Sequence, residues 1–76
     1  MATTDMRALV GTNLLRLRNR RKLTQDQLSA ETGLTQAYIS SFERGRRNPT
    51  VLTLNELANA LRADVGEFFE RHANKN

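Results

Sequence analysis

The chain of 76 residues carries 12 Lys or Arg against 8 Asp or Glu, a net charge of +4, with 38% apolar residues and no cysteine. A chain of this length forms one domain that buries only about 60% of its unfolded surface, with no disulfide or thiolate metal site to staple it. Metal binding and catalysis are not expected either: the single histidine, His72, stands in a polar tail without a second ligand, and no nucleophile–base pair or paired carboxylates stand out.

The first predicted helix runs from about residue 5 to residue 21, where Met6, Leu9, Val10, Leu14 and Leu17 recur every three or four positions and trace one face. Leu15 falls off that face and reads as a rim contact. Thr24 opens the second helix, because Thr24 and Gln27 have the spacing of a capping box: hydroxyl to backbone N–H, and side-chain amide back to the cap. Leu28 is its main core residue with Ser29 on the same side, and Gly33 ends it, since glycine takes the left-handed conformation without strain. Thr35 caps a third helix that runs to about Arg44, buries Ile39 and Phe42, and is closed by Gly45. Two short helices joined by a glycine-containing turn have the layout of a helix-turn-helix, here at about residues 24–44.

Arg46, Arg47, Asn48 and Pro49 read as a loop, because proline biases the residue before it toward extended backbone. A fourth helix from about residue 50 to residue 62 buries Leu54, Leu57, Ala58 and Leu61. Asp64 and Glu67 repeat the capping-box spacing and open a short fifth helix through about Glu70, with Val65, Phe68 and Phe69 apolar. Residues 71–76 form a polar tail, expected to fray. With no strand signal, repeat or low-complexity stretch, the expected class is all-α, one domain with its core at about residues 6–70.

The cations are not evenly spread. Arg16, Arg18, Arg20, Arg21 and Lys22 form one block and Arg44, Arg46 and Arg47 a second, while the acids are scattered. Such local concentration suits a partner with repeated negative charge; taken singly, either block is equally well the solvated end of a helix. No apolar run approaches the roughly 18 to 20 residues of a bilayer span. The opening Met1-Ala2-Thr3-Thr4-Asp5 lacks the charged start and apolar middle of a signal peptide, so a cytoplasmic location is expected.

Four stretches stand at fixed spacing: Leu14-x-x-Leu17-Arg18; Leu23-Thr24-Gln25-x-x-Leu28; Thr32-Gly33-Leu34-Thr35-x-x-Tyr38-Ile39-Ser40-x-Phe42-Glu43-Arg44-Gly45; and Asn48-Pro49-Thr50 with Leu54-x-x-Leu57-Ala58-x-Ala60-Leu61. In these, over residues 10–69, the chain resembles the phage repressor and Cro type (XRE-like) family of helix-turn-helix transcriptional regulators. Residues 38–50 also resemble the controller proteins of restriction–modification systems, which are dimers of this size. The resemblance implies a five-helix lambda-repressor-like DNA-binding domain in the cytoplasm, associated with the nucleoid, that binds double-stranded DNA and a second copy of itself. It implies no cofactor, small-molecule ligand or membrane.

If that fold is right, the third helix enters the major groove with its N-terminal outer side chains toward the base edges. Those are Gln36, Ala37, Ser40 and Ser41, with Tyr38 flanking. Gln36 can pair bidentately with adenine, Ala37 offers an apolar contact to a thymine methyl, and Ser40 completes the expected base contacts. Tyr38 either donates to a phosphate or packs on the turn between the second and third helices, and Ser41 is a short donor to the backbone or a small surface residue. The resemblance implies a phosphate contact by Gln25, which also buttresses Gln36. Thr24 and Thr35 turn their helix ends toward the DNA backbone, although capping is their larger role, and Arg46, Arg47 and Asn48 clamp flanking phosphates. In relatives the positions of Arg18 and Glu43 form a partly buried salt bridge; the same is expected here, with Glu43 structural and Arg18 a strut that could also touch a phosphate.

One reading helix covers too few base pairs to find a site, which is why a two-fold dimer on a palindromic operator is expected. Leu52, Val65, Phe68 and Phe69, with Leu61 nearby, are the expected seam, and one of Phe68 and Phe69 has no evident home in so small a core. Regulation is then expected to come from concentration and dimer formation. The alternative function is a protein-interaction module of the same fold, such as a toxin-neutralising antitoxin, for which only a few tail residues remain.

Overall fold

The computed structural model describes residues 5–71, so His72 and the rest of the expected polar tail lie outside the described residues. Four α-helices follow one another: α1 (Met6–Arg20), α2 (Gln25–Thr32), α3 (Gln36–Glu43) and α4 (Val51–Leu61). Each begins at a residue whose side chain accepts from the first turn. Asp5 takes the Arg7 N–H, Thr24 that of Gln27, Thr35 that of Tyr38 and Thr50 that of Thr53. At α2 the capping box is complete, for Gln27 Oε1 accepts in return from the Thr24 N–H at 2.8 Å. Gly33, at φ +82°, ends α2 and starts a three-residue turn into α3.

The expected fifth helix is instead a five-residue 3-10 helix, Val65–Phe69. Glu67 accepts from the Asp64 N–H at 3.0 Å, as the capping spacing implies. The winding stops early because Asn13 Nδ2, on α1, donates to the carbonyls of Phe68 (2.7 Å) and Glu70 (2.9 Å). Those carbonyls would otherwise look for partners further along a helix. Arg20 Nη1 donates to Glu67 Oε1 at 2.9 Å. That bond, with the Asp64 N–H, holds the Glu67 carboxyl below its ordinary range, so it is in place at neutral pH and is released only in acid.

One core collects Val10, Leu14 and Leu17 of α1, Leu28 of α2, Ile39 and Phe42 of α3, Leu54, Leu57, Ala58 and Leu61 of α4, and Phe68 of the 3-10 helix. The buried faces of α2, α3 and α4 are those the periodicity predicts. On α1 the face is displaced: Met6 is exposed and Leu9 half-buried, while Gly11 and Asn13 are buried. Phe68, expected at a dimer seam, is wholly buried in the core beside Phe42, with ring centroids 6.4 Å apart. Phe68 is therefore not a seam residue, and neither is Leu61, which is also buried. Among the described residues no strand is found, no helix is long and apolar enough to cross a membrane, and no group of His, Cys, Asp and Glu is placed to hold a metal ion.

Helix α1 packs on α3 and on the 3-10 helix, while α2 packs on α3 and α4. Helix α1 comes close to α3 at Gly11, where an added Cβ would collide with the Phe42 carbonyl oxygen and stand 3.1 Å from that of Glu43. Gly11→Ala raises intrinsic helix propensity by about 1 kcal/mol but forces two backbones apart, an overpacking cost of about 1–3 kcal/mol. A net fall in melting temperature is expected in a thermal unfolding scan; a rise would contradict this packing.

Candidate nucleic-acid interface

The N-terminal outer side of α3 is clear of the core. Ile39 and Phe42 turn inward, while Gln36 and Ala37 are exposed. Ser40 is half-buried, and its hydroxyl accepts from Arg44 Nη1 at 2.7 Å. Ser41 is half-buried too. Gln36 Nε2 donates to Gln25 Oε1 at 2.6 Å, so the expected buttress is present in the fold. Gln25 Nε2 donates in turn to Glu43 Oε1 at 2.9 Å.

Glu43 receives two bonds from the Arg18 guanidinium, Nε to Oε2 at 2.6 Å and Nη2 to Oε1 at 3.0 Å. The side chains are 12% (Arg18) and 7% (Glu43) exposed, and Arg18 Nη1 donates to the Leu23 carbonyl at 2.7 Å. The hydrogen bonds that Arg18 donates to Glu43 outweigh desolvation and raise the Arg18 pKa above its ordinary value. All three nitrogens of Arg18 have partners inside the protein, which makes it a strut, and of its five N–H donors one on each Nη stays outside these bonds.

Tyr38 is half-buried and packs against the core. Its ring stands edge-on to Phe42, with centroids 6.1 Å apart at 73°, and the Arg47 guanidinium lies over it at 5.1 Å from the centroid. Burial pushes the Tyr38 hydroxyl above its usual pKa, opposed by Arg47, so it stays protonated and able to donate. Arg46 and Asn48 are exposed in the loop that follows α3. The hydroxyls of Thr24 and Thr35 accept from Gln27 and Tyr38 N–H groups, each at 3.0 Å, as caps do.

The two cationic blocks differ in kind. In the first, Arg16 binds Asn13 Oδ1 (3.2 Å) and the Glu67 carbonyl (3.4 Å), Arg18 binds Glu43, and Arg20 binds Glu67. Arg21 donates to the Ala60 carbonyl at 2.6 Å and lies 3.7 Å from Glu31. These four arginines tie elements of the fold together, while Lys22 of the same block is exposed. Of the second block, Arg44, Arg46 and Arg47 remain exposed beyond the C-terminus of α3.

A separate apolar groove is lined by Met6, Val10, Pro49, Val51, Leu54 and Phe69, with Arg7 and Asn48 at its rim. Of its lining, Val51 is 74% and Phe69 43% exposed; Leu52, next to Val51 in the chain, is 76% exposed, and Val65 is half-buried. Of the residues that sequence reasoning set apart for a seam, Phe69 lines this groove; Val51 and Met6, which also line it, were missed. Leu52 falls outside the 54/57/58/61 face of its helix, whereas Val51, three residues before Leu54 and seven before Ala58, falls at its edge, so the period gave no signal for its exposure.

With this geometry in place, comparison with known proteins is specific. The Helix-turn-helix family model matches residues 14–68, and the chain belongs to that family. The HTH-type transcriptional regulator y4dJ of Sinorhizobium fredii is 61% identical over 57 residues, 75% of this chain and 74% of its own. The restriction-modification controller protein C.AhdI from Aeromonas hydrophila superposes with a TM-score of 0.79 at 33% identity, over 83% of this chain and 96% of that one. A tetramer of the controller protein C.Esp1396I in complex with its natural 35 base-pair operator gives a TM-score of 0.77 at 27% identity, over 88% of each chain.

Removing the Glu43 carboxylate leaves the Arg18 charge largely buried and unpaired. Glu43→Ala is expected to cost about 3–5 kcal/mol in a denaturant melt. An unchanged midpoint would show that the pair carries no structural role.

Proposed function

We propose that this chain is a sequence-specific regulator of transcription that binds double-stranded DNA, with α3 in the major groove. The observation that carries the reading is the free N-terminal outer side of α3, opposite Ile39 and Phe42. Gln36, Ala37 and Ser40 face the base edges. Gln36 keeps its carbonyl oxygen and one N–H for adenine, and Ala37 meets a thymine methyl. Thr24, Gln25, Thr35, Tyr38, Ser41, Arg46, Arg47 and Asn48 contact the phosphate backbone, which sets position and affinity. Tyr38 holds Arg47 over its ring, ordering that guanidinium at the edge of the interface.

The protein acts as a homodimer on a palindromic operator, as a repressor or autoregulator, and the resemblance to controller proteins favours a role of that kind. Leu52 and Phe69, joined by Val51, Met6 and the half-buried Val65, form the seam. Apolar side chains this exposed on a small domain are costly to leave in water. A C2 dimer that reads two half-sites needs its α3 helices about 34 Å apart, one turn of B-DNA.

Selection from random duplexes should return a palindrome. Affinity for it should fall about 10³- to 10⁵-fold between 50 and 200 mM salt if six to ten phosphates are neutralised, with Arg47→Ala weakening all sequences alike and flattening that slope. Binding that ignores salt and sequence would refute the reading. Sedimentation at micromolar concentration tests the seam: a wild-type dimer and a monomeric Leu52→Glu variant are expected, and a monomeric wild type would rule the seam out.

A further inference from the structure

The polar side chains beneath the N-terminus of α3 form a hydrogen-bonded chain with only one consistent direction. A carboxylate has no proton to give, so Glu43 Oε1 can only accept, and its 2.9 Å contact with Gln25 is a donation from Gln25 Nε2. Gln25 Oε1 then faces Gln36, and the 2.6 Å contact there is a donation from Gln36 Nε2. Turning the Gln36 amide over sets oxygen against oxygen. Turning both amides over repairs that contact but sets the Gln25 oxygen against the Glu43 carboxylate.

We infer that the Glu43 carboxylate, acting through Gln25, fixes the Gln36 amide in the orientation that accepts adenine and rejects guanine. The inference rests on the base-reading role proposed for Gln36 and specifies what it reads. With one Nε2 proton committed to Gln25, Gln36 faces outward with a carbonyl oxygen and a single N–H. The major-groove edge of adenine offers the complement, a donor at N6 and an acceptor at N7, whereas guanine offers two acceptors, N7 and O6. The inverted amide would turn two N–H groups outward, which is the pattern guanine accepts.

Glu43, 7% exposed, is a positioning residue that works through its neighbour and does not itself touch DNA. Arg18 keeps it in place with two bonds to its two oxygens. The ion pair that joins α1 to α3 therefore also determines which base is read.

The test is the A-over-G ratio at the operator position that Gln36→Ala makes indifferent, measured by selection on duplexes randomised there. Glu43→Gln can invert the chain, and the ratio is expected to fall about tenfold, the scale of one bidentate base contact. Gln25→Ala cuts the chain and leaves the Arg18–Glu43 pair intact, so the same fall is expected from it, and it decides the matter should Glu43→Gln not fold. The double variant Glu43→Gln/Gln25→Glu returns an acceptor-only group next to Gln36. It should restore the ratio even where overall affinity drops, a rescue that a merely structural Glu43 would not give. A wild-type ratio in Gln25→Ala, or a folded double variant that stays indifferent, overturns the relay alone. A Gln36→Ala variant with wild-type preference at every position overturns the base-reading role, and the inference with it.

Discussion

Glu43 and Arg18 lie almost out of water between α1 and α3, and neither charge could stay there without the other. A pair of this kind adds little net stability, because the cost of desolvating both ions roughly offsets their attraction; what it adds is register. Two parallel bonds between a planar guanidinium and a carboxylate tolerate little sliding, and the third Arg18 nitrogen is tied to the carbonyl of Leu23, just ahead of α2. Helices α1, α2 and α3 are thus referred to one point. Gln25, at the start of α2, takes its own orientation from the same carboxylate. A hydrophobic substitute for the pair could fill the space, but it would leave the amides of Gln25 and Gln36 without a reference.

The rest of the molecule distributes its polar ties in a similar way. Asn13, Arg16 and Arg20 hold the 3-10 helix against α1, and Arg21 holds the end of α4. Phe68 is thereby held inside and its neighbour Phe69 left outside, which places an apolar side chain in the same groove as Val51. The outer face of α3 and this apolar face are both set by contacts with α1. Most of the positive charge that looks available for DNA in the first block is engaged in these ties. Arg44, Arg46 and Arg47, by contrast, stay exposed just beyond α3.

What could be read from the residues alone was what is local. Caps at Thr24 and Thr35 depend on groups three residues away, and the 3.6-residue period placed the buried faces of α2, α3 and α4. The ends of α1 and α4 carried no glycine signal, because Lys22 and Arg62 take the left-handed conformation themselves, at φ 58° and 55°. Asn13 was invisible because its partners lie more than fifty positions away, and with it the winding of the 3-10 helix. Which of two adjacent phenylalanines goes inside is decided by that same distant clasp. The arginines of the first block look alike in sequence, and only the tertiary neighbours of each show that they are struts. At the site, the pairings of Arg18 with Glu43 and of Gln25 with Gln36 were legible through family resemblance; the link from Gln25 to Glu43 that joins them was not.

The clasp at Asn13 also bears on how such a chain matures as it leaves the ribosome. Its amide waits for the carbonyls of Phe68 and Glu70, and the space beside Phe42 waits for the Phe68 ring. A nascent chain that has emerged only as far as α4 carries an unmatched amide and an open hole where its centre should be, so the helices already made have little to hold them together. Folding of this core is therefore deferred until the 3-10 helix has been made, and a chain cut short before Phe68 is left without its centre.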